Sequence, residues 1–171
     1  MRRRNASSVN HLLLNFFFLS IFRKLIPGDH IAVPWLAANG ITVFHHGIYL
    51  GQHIKTRLEM VAHVPGYEGV RMTTLQRFTY DGSVEITRYN YKSGSVPQLW
   101  TMKAAYSFVM HPEKWPEFDI TKNNCEHFAT RCKTGKKFSL QVEDLFKYAI
   151  RHPYKMIRFG LNILWQNFKC K

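Results

Sequence analysis

The chain has 171 residues, of which 46% are hydrophobic and 15% aromatic, and its formal net charge is +13. This length and apolar content fit one domain with a buried core, and they exclude a disordered or low-complexity chain. The three cysteines, Cys125, Cys132 and Cys170, are too few for a secreted disulfide scaffold. We therefore expect free thiols in a reducing compartment, where one of them could act as a nucleophile.

The positive charge lies at the two ends of the chain. Residues 1–24 contain five basic and no acidic residues, residues 121–171 contain eleven basic and three acidic residues, and residues 25–120 contain eight of each. Two basic ends with long apolar side chains suit an anionic membrane surface better than a nucleic acid, so we expect a membrane partner and no nucleic acid. A solvated basic surface without a partner is the alternative.

The first element is an apolar run that follows three arginines. Residues 11–22 are mostly apolar, which is too short for a membrane-spanning helix of roughly 20 residues. No small-residue cleavage site follows, as a signal peptide would require. We expect residues 1–26 to form a basic, apolar leader that lies on a membrane surface or packs on the domain as a first helix.

Strands are predicted next, and helices after them. Segments rich in β-branched and aromatic residues predict strands at 30–33, 41–50, 59–64 and 84–89. The segment at 41–50 has the strongest strand pattern. Apolar residues at helical spacing then predict helices at 98–110, from near Cys125 onward, at 142–150 and at 157–168. This order predicts an α+β protein.

Cys125 is the strongest candidate for a nucleophile. Asn124 is a good N-cap residue, so Cys125 should lie in the first turn of a helix, where backbone N–H groups and the helix dipole favour the thiolate. His127 is poorly placed to be its base, because residues two apart on a helix point about 200° from each other. A metal site that uses Cys125, His127 and Cys132 lacks CxxC or HExxH spacing, so we expect no metal.

The base should come from a strand. His45 and His46 are adjacent in the segment at 41–50 and therefore face opposite sides of the sheet, and alternation alone does not choose between them. His63, in the neighbouring strand, could bond the second nitrogen of the base and fix its tautomer. Each of these residues taken alone is more often structural than catalytic.

Four short blocks occur in collinear order, followed by a Cys-Lys-Thr-Gly segment at 132–135. They are PGDHI at 27–31, HHGIYLG at 45–51, VAH at 61–63 and NNCEHFA at 123–129. Together they resemble the lecithin:retinol acyltransferase family, which includes small phospholipase/acyltransferases and the plant NC-domain proteins. The resemblance covers about residues 27–135.

The resemblance implies a fold and the roles of particular residues. The fold would be an antiparallel sheet with packed helices, similar to a circular permutation of the NlpC-type, papain-like thiol enzymes. The nucleophile falls on Cys125, the catalytic histidine on His45 and the second family histidine on His63. The segment between the two histidines is longer than in compact members, so His53 competes with His63.

We therefore predict a thiol-dependent acyltransferase or phospholipase A that acts on membrane glycerophospholipids through an acyl-cysteine intermediate, without a cofactor. The acyl acceptor is left open. A catalytically inactive membrane-binding module of the same fold is the alternative, and a cysteine peptidase comes third. We expect a catalytic domain at 27–138, basic amphipathic helices at 139–171, and an intracellular protein that is peripheral or anchored at the cytoplasmic face of a membrane.

Overall fold

The computed structural model describes residues 24–38 and 41–157. Its strands form a five-stranded antiparallel sheet in the order β4-β3-β2-β1-β5. The strands are β1 (His30–Ala38), β2 (Ile41–Gln52), β3 (Glu59–His63), β4 (Arg71–Thr74) and β5 (Thr87–Tyr89). The helices are α1 (Leu75–Phe78), α2 (Gln98–Met110), α3 (Cys125–Thr134) and α4 (Leu140–Arg151), with a 3₁₀ turn at Pro112–Lys114. The predicted α+β class, with an antiparallel sheet and packed helices, is confirmed.

β2 is the central strand of the sheet, and its neighbour β3 pairs with only part of its length. β1 pairs with β2 from Ile41, which lies opposite Ala38, to Ile48, which lies opposite His30. β3 pairs with the second half only, because it ends at His63, opposite Gly47. Residues 41–46 of β2 therefore extend past the end of β3.

The sheet separates two apolar clusters. On one face Ile48 packs with Phe128 of α3, and residues of α2 complete this cluster. On the other face Tyr49 packs with Phe78 of α1. Because successive side chains of a strand point to opposite faces, His46 lies on the α3 face and His45 on the α1 face.

The PGD block joins the start of the sheet to α3. The buried Asp29 carboxylate forms an ion pair with Arg88 at 3.0 Å and accepts the backbone N–H of Ile26 at 2.9 Å. Lys133 donates to the Gly28 carbonyl at 3.0 Å. Gly28 has φ +93°, and a Cβ there would lie 3.0 Å from the carbonyl oxygen of Gln98, so both backbone and space favour glycine.

The predicted elements differ from the observed ones mainly where they are short. β4 and α1 have four residues each and were not predicted, because so few residues show no periodicity. The segment at 84–89 forms only the three residues of β5. The leader at 1–23 and the last predicted helix, from residue 158 on, lie outside the described residues. Within the described ranges, no helix has both the length and the hydropathy needed to cross a membrane.

Candidate active site

Cys125 is the first residue of α3, as predicted, and Asn124 caps that helix. The Asn124 Oδ1 atom accepts the backbone N–H groups of Glu126 and His127 at 2.9 and 3.0 Å. It also lies 2.9 Å from Nδ1 of His127, so that imidazole supports the cap. This use of His127 agrees with its expected unsuitability as a base for Cys125.

The thiol of Cys125 lies against the unpaired edge of β2. Its Sγ atom is 4.0 Å from the carbonyl oxygen of Phe44, to which it donates a hydrogen bond. The backbone N–H of His46 points at the same sulfur. The thiol therefore contacts the backbone on both sides of His45, although α3 packs on the opposite face from the His45 side chain.

The expected effect of the helix N-terminus on the Cys125 thiol is present, but burial of the thiol outweighs it. Burial raises the pKa of the thiol to about 11, an effect larger than the opposing one of the backbone N–H groups of His46, Glu126 and Cys125 itself. The neighbouring Glu126 carboxylate also raises this pKa. The thiol is thus protonated and neutral at physiological pH.

His45 and His63 form a hydrogen-bonded pair on the α1 face of the sheet. The His45 Nε2 and His63 Nδ1 atoms are 2.6 Å apart, and Phe78 packs against both rings. Burial lowers the pKa of His45 to about 4 and that of His63 to about 3. Both rings are therefore neutral at physiological pH. The structure thus brings together the two histidines that the sequence analysis selected.

His53, the competitor of His63, is not part of this pair. It lies exposed after the end of β2, where its Nδ1 is 3.0 Å from the hydroxyl of Thr56. The longer segment between the two strands therefore forms a hairpin loop and leaves the pairing of His63 with β2 intact.

No hydrogen bond joins the Cys125 thiol to an imidazole within residues 24–38 and 41–157. The thiol donates to Phe44, and the Nε2 atom of His45 is occupied by His63. Proton exchange between Cys125 and His45 would therefore have to use the His45 Nδ1 atom.

A second buried imidazole pair, on the α3 face, was missed by the sequence analysis. The His30 Nε2 and His46 Nδ1 atoms are 2.9 Å apart, and His30 Nδ1 is 2.8 Å from the Tyr91 hydroxyl. Burial lowers the pKa of His30 to about 3 and that of His46 well below its usual value. The sequence analysis did not use the register of the β1–β2 hairpin, which places Ala32 opposite His46. His30 lies two residues before Ala32 and therefore on the same face as His46.

Two further features of the described residues bear on what the site can bind. No group of three or more histidine, cysteine, aspartate or glutamate side chains in these ranges could hold a metal ion. A wide depression of about 900 Å³ lies between the β2–β3 hairpin and α1, with Glu59, Leu75 and Val84 in its lining. None of Cys125, His45 and His63 lines it.

The chain matches the model of a known protein family. The family model described as lecithin retinol acyltransferase matches residues 23–138, which is more than half of the chain. The matched segment includes all five strands and helices α1 to α3, and it ends just before α4. No curated protein matches the chain in a sequence comparison.

Proposed function

The chain belongs to the lecithin retinol acyltransferase family, and on that premise we propose that it is a thiol-dependent acyltransferase or phospholipase A. Its substrate would be a membrane glycerophospholipid, and its intermediate an acyl thioester on Cys125. The observation that carries the proposal is the His45–His63 pair, with a 2.6 Å hydrogen bond, beside the strand edge that the thiol contacts. A nucleophile, a base and a residue that orients the base are the parts that this chemistry needs.

The first half of the reaction forms the acyl thioester. The Cys125 sulfur attacks the carbonyl carbon of an acyl ester while His45 takes the thiol proton. The C–S bond forms and the C–O bond breaks, and His45 returns the proton to the oxygen of the departing lysophospholipid. Because burial raises the pKa of the thiol and lowers that of His45, transfer of the proton before the attack is unfavourable, and we propose that the proton leaves in the same step as the attack.

The second half releases the acyl group. Water, or an acceptor alcohol or amine, attacks the thioester carbonyl and gives its proton to His45. The C–S bond then breaks, and His45 returns this proton to the sulfur. Backbone N–H groups at the start of α3 would stabilise the negative oxygen of each tetrahedral intermediate. All these steps use the chain's own residues.

His63 would fix the tautomer of His45. For His45 to accept a proton at Nδ1, its resting proton must be on Nε2, which then donates to the Nδ1 atom of His63. His63 must in turn hold its own proton on Nε2, a buried atom that has no hydrogen-bond partner among the described residues. The neutral state of both rings is compatible with this arrangement.

The proposed substrate and the charge distribution of the chain both suit a reaction at a membrane surface. A glycerophospholipid is presented at a membrane surface, and the basic ends of the chain, +5 in residues 1–24 and +8 in residues 121–171, would hold the protein on an anionic leaflet. We assign it to the cytoplasmic face of an intracellular membrane. As the resemblance to the family implies, we also propose that the fold is similar to a circular permutation of the NlpC-type thiol enzymes, with the histidine strands before the cysteine helix.

A catalytically inactive membrane-binding module is the second candidate, and one observation favours it. The thiol of Cys125 is neutral and donates to Phe44, and it has no hydrogen bond to an imidazole in the described ranges. In an inactive module this arrangement would persist after lipid has bound.

An acyl adduct on Cys125 separates the two candidates. The protein is incubated with vesicles of mixed phosphatidylcholine, phosphatidylethanolamine and phosphatidylserine, and its intact mass is then measured. We expect one added fatty acyl group that hydroxylamine removes and that peptide mapping locates on Cys125. The Cys132→Ala variant is the matched control and should keep the adduct, because Cys132 lies in the core. An adduct that survives in Cys125→Ala, or no adduct and no fatty acid release, would contradict the proposal.

A further inference from the structure

The unpaired edge of β2 is covered by a side chain from outside the matched family segment. The Oε1 atom of Gln141 accepts the backbone N–H of Phe44 at 2.7 Å, and its Nε2 atom donates to the Phe44 carbonyl at 3.4 Å. One side-chain amide thus contacts both backbone groups of one residue, as a neighbouring strand would. Phe44 is the residue just before His45.

The Phe44 carbonyl is shared between Gln141 and the thiol. The same oxygen accepts the Nε2–H of Gln141 and the S–H of Cys125. A shift of this carbonyl would therefore move the thiol's contact and the backbone that leads directly into His45.

The residue after the nucleophile holds Gln141 in this position. The buried Glu126 carboxylate accepts the backbone N–H of Gln141 at 3.0 Å and the hydroxyl hydrogen of Ser139 through the same Oε2 atom. Ser139 is the N-cap of α4, and its Oγ accepts the Val142 N–H at 3.1 Å. Glu126 therefore ties the start of α4 to the start of α3.

These contacts form a closed path through three elements. It runs from Cys125 to Glu126 in α3, from Glu126 to Gln141 in α4, from Gln141 to Phe44 in β2, and back to the Cys125 sulfur. We propose that Gln141 is a positioning residue, which sets the strand edge at Phe44 so that the Cys125 thiol and His45 meet in reactive geometry. This inference rests on the proposed acyl transfer.

The main test compares two Gln141 variants with one control. Gln141→Ala removes both contacts to Phe44, and Gln141→Glu keeps an acceptor for the Phe44 N–H but loses the donor to its carbonyl. Glu143→Ala is the control, because Glu143 is an exposed residue of the same helix turn. With phosphatidylcholine vesicles as substrate, we expect kcat to fall about tenfold to a hundredfold in Gln141→Ala. We expect a smaller fall in Gln141→Glu, no change in Glu143→Ala, and KM within about twofold throughout.

A second readout does not depend on turnover. The rate at which iodoacetamide alkylates Cys125 is measured against pH by peptide mass spectrometry. Without the Gln141 amide, the Phe44 carbonyl accepts only the S–H group of Cys125, and this favours the protonated thiol. The pH at which alkylation of Cys125 becomes fast should therefore be higher in Gln141→Ala than in the wild type. A side chain that only stabilised α4 would lower the melting temperature and leave this profile unchanged.

The outcomes are distinct. The inference is overturned if Gln141→Ala keeps both the wild-type kcat and the wild-type alkylation profile, or if Glu143→Ala shows the same losses. Should Gln141→Ala fail to fold, Gln141→Glu takes its place, because it also removes the donor to the Phe44 carbonyl. A wild-type kcat together with a wild-type alkylation profile in Gln141→Glu would then overturn the inference. A wild-type protein that forms no acyl adduct and releases no fatty acid would instead contradict the proposed function, while the alkylation comparison would still test the role of Gln141.

Discussion

His45 and His46 are consecutive residues with different surroundings. His45 contacts His63 on one face of the sheet, and His46 contacts His30 on the other. The ring of His46 is fully buried beside His30 and Tyr89, whereas the His45 side chain is intermediate in exposure. An imidazole that exchanges protons with a substrate needs access to it, so the two histidines should differ in function.

Substitution of single histidines tests this difference. His45→Ala should lower kcat/KM about 10²–10⁴-fold, because both the attack and the departure of the lysophospholipid need its imidazole. His63→Gln keeps one hydrogen bond and should lose less activity than His45→Gln. His46→Ala should leave kcat/KM per folded molecule nearly unchanged and lower the free energy of unfolding by about 1–3 kcal/mol, since it leaves His30 Nε2 unpaired.

The four variants are compared at equal folded fraction, determined by circular dichroism, with hydrolysis of phosphatidylcholine vesicles as the assay. A His45→Ala protein with wild-type kcat/KM would remove His45 from the proposed mechanism. A His46→Ala protein that is stable but inactive would exchange the roles of the two histidines.

Helix α4 differs from α3 in having no buried residue. Phe146 and Ile150 are 57% and 83% exposed, and Lys147 and Arg151 are exposed basic residues of the same helix. An amphipathic helix of this kind suits a membrane surface, where apolar side chains enter the lipid and basic ones meet anionic headgroups. Because Ser139 and Gln141, at the N-terminal end of α4, contact Glu126 beside Cys125, such binding would bring the site to the lipid.

Vesicle co-sedimentation tests the contribution of α4. Binding should rise with the fraction of phosphatidylserine and fall with added salt, because each Lys or Arg near the leaflet contributes about 1 kcal/mol, or about fivefold in affinity. Replacement of Lys147 and Arg151 by Glu, or of Phe146 and Ile150 by Ser, should weaken binding. Lys55→Glu, in the exposed hairpin loop, is the charge control. Equal binding of all proteins to neutral and anionic vesicles would rule out the electrostatic part.

Four imidazoles of the sheet are neutral at physiological pH, three of them buried and the fourth, His45, only partly buried. Burial lowers the pKa of His30 and of His63 to about 3, that of His45 to about 4, and that of His46 well below its usual value. In the unfolded chain these rings titrate near pH 6.5. Between pH 6.5 and about 3 the unfolded chain therefore binds more protons than the folded one.

Stability should consequently fall as the pH decreases below about 6.5. Each of these histidines lowers the free energy of unfolding by about 1.4 kcal/mol per pH unit within its window, and above pH 6.5 its contribution is constant. Urea unfolding at pH 7.5, 6.0 and 5.0, followed by circular dichroism, measures the slope. His30→Phe should reduce the slope because one titrating group is gone. A free energy of unfolding that does not change from pH 7.5 to 5.0 would contradict this account.

Local patterns in the sequence were enough to predict the α+β class, the two strands of the β2–β3 hairpin, the helix at 98–110 and the start of α3 at Cys125. Each depends on interactions between residues close in the chain, such as the Asn124 cap. The resemblance named His45 and His63 and left His53 as a competitor, and the β2–β3 hairpin brings the rings of His45 and His63 together. The family assignment came from the same blocks in collinear order.

Only the tertiary structure decided the ionisation of the thiol and the partners of the remaining polar groups. The position of Cys125 at a helix N-terminus is a local feature. The burial that raises the pKa of its thiol to about 11 depends instead on how α3 packs against the sheet. The His30–His46 pair depends on hairpin register, and the contact of Gln141 with Phe44 joins residues 97 positions apart. Desolvation and long-range hydrogen bonds depend on distances between distant parts of the chain, and no local pattern of residue types contains those distances.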